Sequence, residues 1–356
     1  MLPSFDDVSM SMRGSADEAF MRAALLEAAK GVGQTSPNPA VGAVLVIGNR
    51  IVAKGHHRRA GQPHAEIECL RSYNRPLRKG ATLYVTLEPC STAGRTPPCT
   101  QVLIDAGLEK VVIGAVDVNP IHQGRGLALL RAAGVTVRAG VLAAECTALN
   151  EAFNKWTRTK RPLVIAKCGM TLDGRLTRPH SEERWITSAP ARKHANRFRA
   201  QVDAIMIGAE TLRTDNPRLT ARGVRGARQP WRVVLSRSGK VPRDAHLFTD
   251  RWADRTIVFR NQSLEAVLQL LGKREITSVL LEGGGDMLGQ ALDAHLIDKV
   301  HIYLGPLFSG GPVIAFPGLG AASTHKAARL YNVRYEKIGS DLFFTAQTTD
   351  QATSSE

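Results

Sequence analysis

With 356 residues the chain is long for a single hydrophobic core, which predicts two domains, each able to bury enough apolar surface to stand alone. Its 43% hydrophobic and 22% charged residues are those of an ordinary globular protein, and no apolar run is long enough to span a bilayer, so no membrane partner is expected. The formal charge of +15 asks for anionic ligands; with aromatics at 5% and the arginines spread along the chain, small phosphorylated molecules and a dinucleotide suit it better than nucleic acid, with a merely basic surface as the plain alternative.

The sequence opens on a polar tail over residues 1–15 that lacks the charged-then-apolar layout of a secretory signal. Five cysteines are too few and too unevenly placed for a disulfide framework, so a cytoplasmic protein is expected, with Cys69, Cys146 and Cys168 as packing residues. From Asp17, the residues Ala19, Phe20, Ala23, Ala24 and Ala28 form one stripe at helical spacing, ending near Gly31 and Gly33. Ser36-Pro37-Asn38-Pro39 is a loop, followed by strands over 41–47 and 50–54 joined across Gly48-Asn49. Pro63 would open the next helix and put His64 and Glu66 in its first turn. A strand over 82–87 ends at Glu88, so Cys90 emerges from a carboxyl strand end, the usual place for a site in an open α/β sheet. A helix at 100–106, a strand at 111–116, a helix at 127–133 and a strand at 135–138 continue the alternation of an α/β layer fold. Residues 143–158 read as one closing helix. Thr159-Lys160-Arg161-Pro162 reads as the boundary, giving domains over 16–160 and 161–348 and a polar tail over 349–356.

The chemistry-bearing residues of the first half are His64, Glu66, Cys90 and Cys99. An imidazole and two thiols form a three-ligand set of the kind zinc accepts, with a fourth tetrahedral position open to water. Glu66 stands two residues after the histidine, close enough to act on that water without binding the metal. This is the His-x-Glu and Pro-Cys…Cys arrangement of zinc deaminases, in which the glutamate shuttles protons, although eight residues instead of two separate the cysteines here. Two ordinary buried thiols, a disulfide, or a closed structural zinc completed by Cys69, His56 or His57 are the alternatives; the last leaves Glu66 idle. Asn38, at the mouth of a strand, needs no function as a turn residue.

The second half begins with a strand over 163–168 that leads into Gly169-Met170-Thr171-Leu172-Asp173-Gly174-Arg175. Trp185-Ile186-Thr187-Ser188 precedes a helix to about Arg199, capped by Thr187 or Ser188. A strand at 204–208 is followed by a polar, arginine-dense loop over 211–222. Further strands fit 232–235, 257–259, 278–282 and 299–304, and a last hairpin flanks Gly339-Ser340-Asp341. The run from Glu282 through Gly283, Gly284 and Gly285 to Gly289 follows an apolar strand and opens a helix. Glycines there let backbone amides approach a phosphate, yet the spacing is not the Rossmann fingerprint and a plain strand-helix turn explains it as well.

Asn38-Pro39-Ala40-Val41-Gly42, Gly55-His56-His57, Pro63-His64-Ala65-Glu66 and Glu88-Pro89-Cys90-Ser91 through Gly94-Arg95-Thr96-Pro97-Pro98-Cys99 resemble the deaminase half of the RibD family, bifunctional enzymes of riboflavin biosynthesis. The glycine turn, the Thr-Leu-Asp-Gly-Arg piece and the Thr-Asp-Asn-Pro-x-Leu-Thr-x-Arg loop resemble its reductase half, so the resemblance spans residues 16–346. It implies a cytidine-deaminase-like three-layer α/β/α domain followed by a dihydrofolate-reductase-like α/β domain. It implies deamination of a diamino-ribosylaminopyrimidinone 5′-phosphate by a zinc site of His64, Cys90 and Cys99 with Glu66 as catalytic acid and base, one ion per chain. Asn38 and His57 would contact the pyrimidine and Arg95 the phosphate. It further implies reduction of the ribosyl chain to ribityl by NADPH held by Gly169, Trp185, Thr211, Asp215, Ser236, Gly284, Gly285, Asp286, Met287, Leu288, Gly289 and Gln290. Arg199, Leu219, Arg222 and Glu282 would hold the substrate, the guanidiniums suiting its phosphate.

Two positions depart from the pattern: Thr92 stands where relatives carry a histidine, and Glu183 where they carry a serine. No proton donor for the reduction is evident. Expected partners are phosphorylated pyrimidine small molecules, with self-association left open. An RNA deaminase with a basic C-terminal binding module is the runner-up, and a non-catalytic zinc-stabilised protein the third reading.

Overall fold

The computed structural model describes residues 15–92, 98–176 and 185–348. Both predicted tails therefore lie outside the described residues apart from Ser15, as do Arg95 and Glu183. The chain divides into two compact units, Met1–Thr159 and Lys160–Glu356.

In the first unit, helix α1 (Ala16–Ala29) precedes strands β1 (Gly42–Ile47) and β2 (Arg50–His56), then α2 (Ala65–Tyr73), β3 (Thr82–Leu87), α3 (Cys99–Asp105), β4 (Lys110–Ala115), α4 (Arg125–Ala132) and β5 (Thr136–Ala139). The sheet runs β2-β1-β3-β4-β5, with β1 antiparallel to β2 and β3, and β3, β4 and β5 parallel. The three inner strands β1, β3 and β4 are near-continuous apolar runs because both faces are covered. Two glycines show how. A Cβ on Gly42 would lie 2.2 Å from the Ala24 carbonyl oxygen of α1, and one on Gly55 would lie 2.3 Å from the Cys69 amide of α2. Gly55 pairs with Ala43, the neighbour of Gly42, so the two glycines point to opposite faces and the helices sandwich the sheet.

The single closing helix expected at 143–158 is two, α5 (Ala143–Leu149) and α6 (Glu151–Thr159). Asn150 parts them because its side chain is committed elsewhere: Oδ1 accepts from the Ala40 amide at 2.8 Å and Nδ2 donates to the Ala40 carbonyl at 3.0 Å. Those bonds fix the backbone two residues from Asn38.

In the second unit β6 (Leu163–Thr171), α7 (Ala189–Arg199), β7 (Ala204–Gly208), α8 (Ala209–Asp215), β8 (Trp231–Ser236), the single turn α9 (His246–Thr249), β9 (Thr256–Arg260), α10 (Leu264–Lys273), β10 (Ser278–Leu281), α11 (Gly285–Asp293), β11 (Lys299–Gly305), β12 (Tyr331–Ile338) and β13 (Asp341–Gln347) build an eight-stranded sheet of order β12-β13-β11-β6-β10-β7-β8-β9. The six strands from β11 to β9 are parallel, and the β12–β13 hairpin extends them antiparallel. Leu264, Val267, Leu268 and Leu271 of α10 and Leu288 and Ala291 of α11 bury one sheet face together with Ala166 and Cys168. On the other face α7 packs Ala191 and Phe198 against Tyr303 and Phe343.

Three expectations need correcting here. Residues 211–215 are not loop but the end of α8. Strand β6 runs on to Thr171, held by its pairing with Gly305. Helix α10 was not anticipated, although Ser263, whose hydroxyl accepts from the Ala266 amide at 3.2 Å, caps an apolar stripe at i, i+3, i+4 and i+7. Among the described residues no helix is long and apolar enough to cross a membrane.

Candidate active sites

The first unit gathers His64, Cys90 and Cys99 from three separate elements. Cys90 follows the carboxyl end of β3, His64 is the residue before α2, one position outside the predicted first turn, and Cys99 opens α3. Their ligand atoms all lie within 4.8 Å of one another, with His64 Nδ1 3.2 Å from Cys99 Sγ and 3.6 Å from Cys90 Sγ. Metal–ligand bonds of about 2.0–2.3 Å at tetrahedral angles place such atoms about 3.5 Å apart, so this set fits zinc. The Cys99 amide donates to Cys90 Sγ at 3.3 Å, and the Thr100 amide and hydroxyl both hold the Cys90 carbonyl at 3.2 Å. Contact with the Cys99 thiol, helped by His64, pulls the Cys90 thiol down, and the same contact together with burial pushes Cys99 up.

All five cysteines are free, which removes the disulfide alternative. Among the described residues the cluster holds three ligands, and the candidates for a closing fourth are occupied elsewhere. His56 Nδ1 lies 3.6 Å from the Glu27 carboxylate and Cys69 is packed in the core. His57 Nδ1 donates to the Pro63 carbonyl at 3.1 Å, which leaves Nε2 to accept from Asn38 Nδ2 at 3.2 Å. That tautomer suits a neutral ring, and burial lowers the His57 pKa in agreement. The His57 and His64 rings meet edge to face at 5.1 Å, so Asn38 and His57 stand beside the ligand cluster.

Glu66 is 3% exposed and close enough to Cys99 to push that thiol up. Burial raises its carboxyl to about 7 against the pull of His64. A carboxyl that exchanges its proton near neutrality is suited to general acid and base work. Thr92 lies in a hollow of about 350 Å³ with Ser91 and Arg125, next to the Cys90 turn.

Sequence reading missed Glu88, whose buried carboxylate accepts the amides of Asp117 (3.1 Å), Gly124 (3.0 Å), Gly126 (2.8 Å) and Leu127 (3.4 Å). The bonds lash the loop before α4 to the residue two before Cys90. A buried carboxylate without a cation nearby needs such donors, and an acidic residue ending an apolar strand was the available signal. Glu88→Gln sets its own N–H against some of those amides. It is expected to cost the unit about 2 kcal/mol and to weaken zinc binding roughly tenfold. Chelator competition and urea unfolding measure both.

In the second unit Gly169 is near the carboxyl end of β6, Glu282 follows β10, Thr211 is in the helix after β7, and Ser236 ends β8. Glu282, just past β10, accepts from Arg199 Nε and Nη2, each at 2.7 Å, in a fork-to-fork pair, and Lys167 Nζ lies 4.0 Å from it. Burial would raise the Glu282 pKa, but Arg199, then Lys167, outweigh it and hold the carboxyl at about 2. Arg222 is near enough to Arg199, Arg218 and Glu282 to feel their charges. Lys167 was not singled out from the sequence, though one lysine inside the apolar run Val164-Ile165-Ala166 was a visible irregularity.

Gly169 lies on β6 beside Thr187, whose methyl would be 3.1 Å from a Cβ there. Thr211 Oγ1 faces Gly284, and Gly283, at φ +102°, accepts the Gly208 amide through its carbonyl at 3.1 Å. The amides of Met287 and Leu288 turn back to the Gly284 carbonyl, which leaves the first-turn amides of Gly285 and Asp286 directed outward from α11. This cradle fits a cofactor phosphate. Leu288 is fully buried in the core and a Cβ on Gly289 would fall 1.4 Å from the Pro317 carbonyl oxygen, so these two serve packing. Leu219 is 1% exposed, backbone and side chain together, and the Ser236 hydroxyl accepts the Gly239 amide within its own turn. Trp185 is exposed with Arg192 over its ring at 4.7 Å, Asp215 ends α8, and Gln290 is on the exposed side of α11.

Known proteins match both units. The family model for the RibD C-terminal domain matches residues 162–344, and that for the cytidine and deoxycytidylate deaminase zinc-binding region matches 14–115. The riboflavin biosynthesis protein RibD of Synechocystis sp. is 40% identical over 92% of this chain and 95% of its own length, and that of Escherichia coli 36% over 92% and 98%. The solved structure of Acinetobacter baumannii RibD superposes at a TM-score of 0.86 with 32% identity, covering 94% of this chain and 99% of its own. That of a deaminase/reductase from Thermotoga maritima superposes at 0.84 with 36% identity, covering 93% and 98%. Zinc for the first unit and a nicotinamide cofactor for the second follow from these matches and from the ligand cluster. Because one relative 40% identical spans 92% of the chain, and with it both halves, the chain belongs to the RibD family of riboflavin biosynthesis proteins.

Proposed function

We propose that the chain catalyses two consecutive steps of riboflavin biosynthesis, deaminating 2,5-diamino-6-ribosylamino-4(3H)-pyrimidinone 5′-phosphate in residues 16–160 and reducing the product's ribosyl chain to ribityl in residues 161–348. The observation that carries this reading is the convergence of His64, Cys90 and Cys99 within 4.8 Å beside the buried Glu66. When bound, one zinc per chain would activate water for attack on the pyrimidine, and NADPH would supply hydride to the sugar C1′. Glu66 takes the proton of the attacking water and gives one to the amino group that leaves as ammonia. Asn38 and His57, already hydrogen-bonded to each other, orient the pyrimidine, and Arg95 meets the phosphate.

In the reductase, Gly169, Thr211 and the Gly284–Asp286 turn hold the cofactor, with Trp185, Asp215, Ser236 and Gln290 at its margins. Arg199 and Glu282 form a rigid floor to the substrate site, the buried Leu219 anchors the segment beside it, and Arg222 binds the phosphate. Lys167, beside Glu282, supplies the proton as the ribose ring opens. The RNA-deaminase alternative finds no support, since a reductase family model covers the half that would have bound RNA.

Separate assays of the two half-reactions on the purified chain test this. Ammonia release from the diamino substrate, and loss of the reduced-nicotinamide absorbance with the deaminated product, are both expected, with NADPH preferred to NADH. Absence of the second would remove the reductase assignment.

A further inference from the structure

We propose that Gln229 is a positioning residue of the reductase: its side-chain amide clamps Ala221 and thereby holds the adjoining Arg222 guanidinium where the substrate's phosphate binds. The inference rests on the reading of Arg222 just given. Gln229 Oε1 accepts the Ala221 amide at 2.9 Å and Nε2 donates to the Ala221 carbonyl at 3.1 Å, so both polar groups of one side chain are spent on one backbone residue.

The segment that leaves α8 needs holding. Asn216 and Leu219 both have left-handed backbones, at φ +40° and +46°, which a leucine rarely adopts without constraint. Three attachments supply it. Asn216 Oδ1 accepts the His246 amide at 2.8 Å. Arg232, fully buried and paired with Asp250 at 2.7 Å, donates to the Arg218 carbonyl at 3.3 Å. The third is the Gln229 clamp. Between the attachments the side chains of Arg218 and Arg222 are exposed.

Arg222 and Arg199 face one carboxylate, Glu282, which Arg199 already occupies with Nε and Nη2, while Arg218 stands near Arg222 on one side and the Asp250 carboxylate on the other. The surplus of positive charge repels itself, and the Arg222 pKa is lowered by burial and then by Arg199 and Arg218. A dianionic phosphate relieves that repulsion; without a ligand the backbone attachments hold the arginines together against it. Arg218 is fixed through the buried Arg232, whereas Arg222 depends on the partly exposed Gln229, a residue the core does not need.

Gln229→Met and Gln229→Ala, which differ in packing but both lack the amide, are compared with Arg222→Ala and with the Gln229→Met/Arg222→Ala double variant. Steady-state reduction is measured with the deaminated substrate and with its dephosphorylated counterpart. Both Gln229 variants are expected to raise KM for the phosphorylated substrate about tenfold, as a charge-assisted contact weakened but not abolished. kcat, the KM for NADPH and the KM for the dephosphorylated compound stay at parental values, and the double variant is no worse than Arg222→Ala alone. An unchanged KM, a parallel rise with both substrates, or effects that add in the double variant would overturn the clamp. If Arg222→Ala itself leaves KM unchanged, the phosphate reading of Arg222 falls and the clamp with it. If Arg222→Ala raises KM while the Gln229 variants are silent, only the clamp falls.

Discussion

Glu66→Gln is expected to lower the deaminase rate by about 10²–10⁴-fold while zinc content and reductase activity remain those of the parent chain. The substitution is nearly isosteric at a residue 3% exposed, so packing around α2 is kept. The ligand atoms of His64, Cys90 and Cys99 are not touched. What is lost is a carboxyl able to accept a proton and return it, since an amide can hydrogen-bond in the same place but cannot carry the proton across. Glu66 is the proton carrier the cluster offers: His64 points Nδ1 at the sulfurs, and His57 has both ring nitrogens engaged with Pro63 and Asn38. Metal analysis, ammonia release and NADPH oxidation with the deaminated compound separate the three quantities. A variant that keeps its zinc and deaminates near the parental rate would refute the role; one that loses zinc would make Glu66 a structural support of the metal instead.

The metal cluster was legible in the sequence because its chemistry is carried by rare residue types next to strand and helix ends. His64, Cys90 and Cys99 each sit where an α/β crossover turns, and the periodicity that locates those turns is strong in short, fully buried strands such as β3. The break at Asn150 was not legible, since an asparagine in an alanine-rich helix looks tolerable until its partner Ala40, 110 positions away, is known. The same holds for Gln229, whose partners are the amide and carbonyl of one backbone residue; Glu88 was visible as an acidic end to an apolar strand, but its backbone partners leave no trace in residue type. In the glycine run, composition marked an approach of backbone to something. Only the structure distinguishes Gly284, beside Thr211, from Gly289, which admits the Pro317 carbonyl. Lys167 and Glu282 illustrate the intermediate case. Each is a single charged residue at the end or middle of an apolar strand, and the parallel pairing of β6 with β10 puts them on neighbouring strands.

That pairing makes Arg199 the residue on which the second unit's site depends most. Arg199→Met is expected to destabilise this unit by about 3–5 kcal/mol near neutrality, because the aliphatic replacement fills the space and leaves the Glu282 carboxylate buried without its two-nitrogen partner. Lys167 at 4.0 Å and Arg222 offer partial compensation, which favours the lower end of that range. The pH dependence distinguishes this cause from lost packing. In the parent the Glu282 carboxyl is held at about 2 against an ordinary 4.5, so the pair's stabilisation is present above about 4.5 and is lost as pH falls towards 2. In the variant burial acts with the chief opposing charge gone, the folded-state pKa rises, and protonation relieves the cost instead of adding to it. The stability difference between parent and variant therefore narrows as pH falls from about 4.5 towards 2, whereas a packing defect would give a constant gap. Three of the four tryptophans, Trp185, Trp231 and Trp252, belong to this unit, so urea unfolding followed by their fluorescence reads it directly. Equal stabilities near neutrality, or a gap that widens in acid, would show that Glu282 does not depend on Arg199.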